Sequence, residues 1–165
     1  MRNSFRSACY PRCSRQSALA HTGRASQSLR CMNVQERIQD FLAGQTYAVV
    51  GASSNREKYG TKVLRCYQQH GREVFAVHPR EPLIEGATTV TELARLPKPV
   101  HGISIITPPA VTEQLVEEAA KLGVKRIWMQ PGAESPKAIA RAEELGLRVI
   151  ANGPCLLVSL GFRER

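Results

Sequence analysis

The residues best suited to chemistry form one short stretch, Gly51-Ala52-Ser53-Ser54-Asn55, with Gly60-Thr61 following it. The stretch comes directly after an apolar run, Tyr47–Val50, and runs into a segment of helical spacing. A glycine there lets a ligand approach the backbone closely, and Ser53, Ser54 and Asn55 offer donors. Free N–H groups and the dipole at the start of a following helix favour an anion, so phosphate or pyrophosphate binding is expected. The pattern departs from GxGxxG, because Ala52 and Ser53 follow Gly51 with no second glycine. The next apolar run ends in Val77-His78-Pro79-Arg80. Sites that read a ribose 2′-hydroxyl place a carboxylate at this point. Here a Pro turn and a guanidinium stand instead, which suits an extra phosphate on the ribose: the 2′-phosphate of NADP or the 3′-phosphate of coenzyme A. The remaining loop tips begin at Thr107-Pro108-Pro109, at Gln130 through Gly132 to Ser135, and at Ala151-Asn152 through Cys155. They are rich in Gly, Pro, hydroxyls and amides, with no acid pair and no His/Cys/carboxylate cluster. That favours binding over catalysis.

These tips need elements to hold them. The apolar runs are Tyr47–Val50, Val74–Val77, Ile103–Ile106, Ile127–Met129 and Leu147–Ile150, each short and nearly continuous, as strands buried on both faces are. Between them lie helical stripes: Val63, Leu64 and Tyr67; Val111, Leu115, Ala119 and Leu122; Ile139, Ala142 and Leu145. Gly71, Gly123 and Gly146 stand where helix C-caps need positive φ. Thr107-Pro108 and Ser135-Pro136 put a capping hydroxyl before a first-turn Pro. A shorter helix is expected from Thr91 through Leu96, and Val34, Ile38, Phe41 and Leu42 suggest a leading helix packed on the sheet. Strand alternating with helix implies right-handed βαβ units. The expected fold is a single doubly wound α/β domain over 32–160, with five mostly parallel strands, helices on both faces, and a short tail at 161–165. In such sheets ligands sit outside the carboxyl ends of the strands.

The chain has 165 residues and a formal charge of +9, from 23 Lys+Arg against 14 Asp+Glu. That charge is unevenly placed. Residues 1–31 carry six Arg and six Ser with no acid, the make-up of a mitochondrial transit peptide, so a matrix location is expected. Translation beginning at Met32 would give a cytosolic form. The rest of the chain is only +3 and lacks interleaved aromatic and basic residues, so no nucleic-acid partner is expected. No run approaches the length of a membrane span. Cys9, Cys13 and Cys31 lack partners at zinc spacing, so no metal site is expected. Among single residues, His70 and His101 read as structural beside turns, Trp128 and Met129 as core, and Glu117, Glu118, Glu143 and Glu144 as solvated helix acids. Cys155 reads as a small buried hydrophobe, the alternative being thiol exchange with a bound ligand.

From about Thr46 to Val158 the order of motifs resembles a stand-alone CoA-binding domain. The matching pieces are YAVVGASSN, YGTKVLRCYQQHGREVFAVHPR, Gly86 with TVTELARLP, ISIITPP, AAKLGVKRIWMQPG and GLRVIANGPCLLV. Such domains are similar to the nucleotide-binding half of the succinyl-CoA synthetase α subunit. The resemblance implies a Rossmann-like fold with coenzyme A or an acyl-CoA as ligand. It implies phosphate contacts from Gly51, Ala52, Ser53, Ser54, Asn55 and Lys58, and an adenosine end at Val77, His78, Pro79 and Arg80. Thr107, Pro108 and Pro109 would flank the pantetheine, with Gln130, Gly132, Asn152 and Cys155 completing the wall. Many relatives have Asn where this chain has His78. The synthetase also needs an active-site His in a second domain and an ATP-grasp partner, so ligase activity does not carry over.

The leading expectation is thus a protein that binds a small nucleotide ligand without a catalytic centre of its own. The alternatives are an NADP-binding oxidoreductase-like protein, or an acyl-CoA-sensing subunit of a homo-oligomer or larger complex.

Overall fold

A computed structural model describes residues 32–164. The Arg/Ser-rich leader, with Cys9, Cys13 and Cys31 and the expected transit peptide, lies outside the described residues.

The chain opens with α1 (Val34–Leu42). Its amino end is closed by a reciprocal capping box in which Asn33 accepts from Glu36 N and the Glu36 side chain accepts from Asn33 N. Ile38 and Phe41 are its buried residues, whereas Val34 is exposed. Then follow β1 (Thr46–Val50), α2 (Tyr59–Gln69), β2 (Glu73–Val77), β3 (Leu83–Ile84), β4 (Ala87–Val90), a 3-10 turn at Leu93–Arg95, and β5 (Gly102–Ile105). The second half continues with α3 (Pro109–Lys121), β6 (Arg126–Met129), α4 (Pro136–Glu144), β7 (Arg148–Ile150) and α5 (Leu156–Leu160). The strands form one sheet in the order β3-β4-β2-β1-β5-β6-β7, parallel throughout except for the β3/β4 pair. In register, Val50 stands beside Val77 on one side and Ile105 on the other.

Alternation along β1 divides the core. Ala48 and Val50 join the layer with α3 and α4, while Tyr47 and Val49 join the layer with α1, α2 and α5. Trp128 and Met129 are both core, as expected, and point to opposite layers. Tyr47 stacks on Tyr67 with ring centroids 4.5 Å apart, and the buried Tyr67 hydroxyl is satisfied by Ser104 Oγ at 2.8 Å. His101 and His70 are structural: each ring meets a backbone carbonyl, of Asp40 and Cys66 respectively. Gly71, Gly123 and Gly146 all carry the positive φ expected of helix ends.

Several expectations need correction. The sheet has seven strands, not five. The two extra strands form a tight hairpin whose turn residues, Glu85 and Gly86, both have positive φ. β3 is two residues long with Leu83 exposed, and β4 meets β2 through only two residue pairs, so neither carries a burial pattern that sequence could reveal. The helix expected from Thr91 through Leu96 shrinks to three residues of 3-10 turn. Ser135 caps α4 through Ala138 N, but Thr107 caps nothing. Pro108 takes the N-cap position of α3 and Pro109 its first turn, while the Thr107 hydroxyl meets Thr112 Oγ1 at 3.2 Å. The buried face of α3 is Thr112, Leu115, Val116 and Ala119, and Val111 and Leu122 are exposed. Glu117 and Glu144 are ion-paired to Arg141, and Glu143 to Arg37, rather than merely solvated.

Candidate functional site

The order of strands reverses between β1 and β5, and there the loop tips part to leave a cleft of about 480 Å³. Gly51 starts the β1 loop with φ 99°, and a Cβ on it would lie 2.6 Å from the Ile106 carbonyl oxygen. The two tips therefore close on each other backbone to backbone, and only glycine fits. Gly60, in the first turn of α2, presses on the other side of the same loop: a Cβ there would lie 2.3 Å from Gly51 O. The Thr61 hydroxyl donates to Ser53 O at 2.6 Å and accepts from Ser53 N at 3.2 Å, so α2 holds the loop as well as following it.

These contacts leave specific groups over. Ser53 is 6% exposed, and its Oγ has no partner. No side chain caps α2, whose N-cap is Lys58. Lys58 lines the cleft and, among the described residues, makes no ion pair. An uncapped helix start, an unpartnered buried hydroxyl and a cation without an ion pair among the described residues are groups with the chemistry to hold an anion. Asn55 instead serves the loop, its Oδ1 accepting from Glu57 N at 3.0 Å. Ser54 is exposed, and its N–H donates to Glu81 Oε2.

Val77, His78 and Pro79 form the second wall. The His78 ring takes over the turn-forming role of a short amide: Nδ1 accepts from Glu81 N at 3.1 Å and Arg80 N at 3.3 Å. The neutral ring then carries its proton on Nε2, which lies 3.8 Å from Glu81 Oε1. Arg80 is exposed and does not line the cleft, though its guanidinium pairs with no acid among the described residues. Thr107 and Pro108 complete the wall, while Pro109 falls within α3 behind it. Glu81, one residue beyond Arg80, folds back onto the first loop.

Gln130 and Cys155 gather in a separate corner. The Tyr59 hydroxyl lies 3.0 Å from Gln130 Oε1 and 2.7 Å from Cys155 Sγ, and Leu156 N donates to the same Gln130 oxygen at 3.0 Å. With Tyr59 donating to Gln130, its oxygen is the acceptor for the Cys155 thiol, so Cys155 is a half-buried, hydrogen-bonded thiol. Burial, then the Cys155 contact, push the Tyr59 phenol well above its ordinary pKa. Burial pushes the Cys66 thiol up to about 11. Gln130 is itself fully buried, and its Nε2 has no partner. Gly132 sits in a turn where its N–H meets Glu134, and Asn152 is exposed with φ 61°. Neither lines the cleft.

Residues that sequence reasoning passed over include Thr91, Glu92, Leu93, Val111 and Glu118, which line the cleft, and Tyr59. A usable signal existed for Tyr59, which directly precedes Gly60; Glu81, also passed over though outside the cleft wall, follows the Pro turn. A larger concavity of about 570 Å³ lies between α3 and α4, but its charged walls are already paired, Lys137 with Glu113 and Arg141 with Glu117.

The fold defines an α/β domain of the doubly wound class, with the cleft at its switch point. Comparison with known proteins narrows the class: residues 45–161 match the CoA binding domain family, and the chain belongs to that family. It is 25% identical over 121 residues to the α subunit of an ADP-forming acetate–CoA ligase II from Pyrococcus furiosus, which covers 67% of this chain. The chain spans only about a quarter, 26%, of that subunit. A conserved hypothetical protein from P. furiosus superposes with a TM-score of 0.66 at 37% identity, covering 70% of this chain and 98% of that one. A Thermus thermophilus protein superposes with a TM-score of 0.69 at 27% identity, covering 79% and 97%.

Proposed function

We propose that the cleft binds coenzyme A or an acyl-CoA and that the chain itself performs no chemistry on it. The observation that carries this reading is the Ser53 hydroxyl, buried and unpartnered, in the loop that leads to the uncapped α2, with Lys58, which makes no ion pair among the described residues, lining the same cleft. A pyrophosphate supplies the acceptors those donors lack. Membership of the CoA binding domain family supports the same ligand. Arg80, exposed and unpaired beyond the second wall, is assigned the 3′-phosphate. Thr107 and Pro108 would flank the pantetheine, leading toward Gln130 and Cys155.

The test is calorimetric titration with coenzyme A, dephospho-CoA and NADP in parallel. Coenzyme A is expected to bind, and dephospho-CoA about tenfold or more weakly, because one charge-assisted contact is lost. Arg80→Glu should weaken coenzyme A by a similar factor and leave dephospho-CoA unchanged. No binding of coenzyme A at millimolar concentration overturns the proposal, and tighter binding of NADP transfers the cleft to the oxidoreductase-like reading.

A role as an acyl-CoA-responsive subunit is the extension of this reading, since the ligase relative is named as a subunit. Size-exclusion chromatography of the full chain with and without ligand tests it. We also propose a matrix location from the leader composition, tested by fusing residues 1–31 to a fluorescent reporter.

A further inference from the structure

The loop that offers backbone donors already holds an anion belonging to the chain. Ser54 N–H, at the tip of the β1 loop, donates to Oε2 of Glu81. The backbone at Glu81 is in turn fixed, because Glu81 N donates to His78 Nδ1 at 3.1 Å. The Glu81 side chain is 27% exposed, so it can leave toward solvent without unpacking the core. In the same loop the Ser53 hydroxyl is buried without a partner, and Lys58 pairs with no acid among the described residues. The loop thus has one donor filled by a carboxylate and others left open.

We propose that Glu81 is an internal competitor that an incoming phosphate must displace, and that it thereby sets which anions the cleft accepts. The inference rests on the proposed coenzyme A cleft and names a specificity residue at its rim: Ser54 follows the lining residue Ser53, and neither it nor Glu81 lines the cleft itself. A carboxylate held by its own chain has a large concentration advantage over a free monoanion. A single phosphate or an acetate gains one contact and meets a like charge. A pyrophosphate brings more oxygens, which also reach the Ser53 hydroxyl, the α2 start and Lys58, and so displaces the carboxylate at a net gain. Selectivity of this kind comes from a repulsive element as much as from attraction.

The experiment compares the full-length protein with Glu81→Gln, which keeps the shape and removes the charge, and Glu81→Ala, which empties the position. Each is titrated with coenzyme A, inorganic pyrophosphate and inorganic phosphate, and thermal unfolding checks the fold. Both variants should bind coenzyme A and pyrophosphate about tenfold more tightly, the size of one charge-assisted hydrogen bond no longer displaced. Both should also show measurable binding of inorganic phosphate where the parent shows none. Equal affinities in all three proteins, or weaker binding in the variants, overturn this inference alone. Absence of coenzyme A and pyrophosphate binding in all three overturns the cleft assignment and this inference together. If Glu81→Ala does not fold, Glu81→Gln decides the matter by the same readings.

Discussion

Gly60→Ala is the sharpest test of how the anion loop is held. Two effects oppose each other. Position 60 lies in the first turn of α2, where alanine is favoured over glycine by up to about 1 kcal/mol. Against that, the new Cβ would stand 2.3 Å from Gly51 O, 2.8 Å from Gly51 C and 3.0 Å from Ala52 N. All three are backbone atoms, so no side chain can rotate away. Contacts below about 3 Å are not tolerated, and the loop has to retreat from α2 by several tenths of an ångström. Overpacking of this kind costs about 1–3 kcal/mol, with the upper end expected where backbone must move. The steric effect wins, for a net loss of about 1–2 kcal/mol and a fall in Tm of about 3–8 °C in a domain of this size. The same retreat displaces the Ser53 and Ser54 donors, so coenzyme A affinity should drop about tenfold or more. Gly71→Ala is the control, since it has φ 63° and nothing within 4 Å of its Cβ. It should cost about 1 kcal/mol through left-handed backbone alone, with no change in binding. Scanning fluorimetry and calorimetry read both quantities. A Gly60→Ala protein as stable as the parent, with unchanged affinity, would refute the close approach on which the site description depends.

Other perturbations read other parts of the structure. Asp40 is bound bidentately by Arg126, at 2.7 and 3.0 Å, and by Arg148 at 2.8 Å, which holds its carboxyl down at about 2. Because the folded pKa lies below the unfolded one, the pair stabilises the fold above about pH 4 and loses that contribution as pH falls toward 2. Discounted for partial exposure, the contribution is about 1–2 kcal/mol, and Asp40→Asn should remove it at pH 7 and flatten the acid limb of a urea-denaturation series. Tyr59→Phe deletes the hydroxyl shared by Gln130 and Cys155 and should lower stability by about 1 kcal/mol, read as a shift in the urea midpoint. Iodoacetamide labelling of the native protein at pH 8, followed by peptide mass spectrometry, should modify Cys155 well before Cys66. Cys66 is fully buried with its thiol raised to about 11, so only about one molecule in a thousand carries the thiolate.

Much of this molecule is written locally in its sequence. The five strands β1, β2, β5, β6 and β7 are short apolar runs that must be covered on both faces, and their alternation with helical stripes leaves few topologies. Gly51, Ser53, Ser54 and Asn55 could be named as an expected anion loop because a glycine, hydroxyls and a helix start need only be neighbours in sequence to act together, whereas Lys58 came only from the family resemblance. The same locality explains the correct reading of Ser135 as a cap and of Gly71, Gly123 and Gly146 as helix ends. Other features had no local signature. β3 and β4 are too short and too exposed to show a period, and they exist because a tight turn at Glu85-Gly86 returns the chain to the edge of β2. The buried face of α3 is rotated from its most apolar stripe because the cleft leaves Val111 uncovered. Arg80, prominent in sequence, falls outside the cleft wall. Glu81 beside it, also outside that wall, turns back onto the β1 loop, a difference of one residue decided by the His78 turn. Tyr59, Gln130 and Cys155 meet only because the starts of α2 and α5 and the end of β6 converge at one end of the sheet. Sequence by itself determined which segments bury apolar surface and where backbone donors cluster, since both depend on residues close along the chain. Only the tertiary structure decided which charges and hydroxyls face one another across the cleft, because those distances are set by how the sheet brings remote loop tips together.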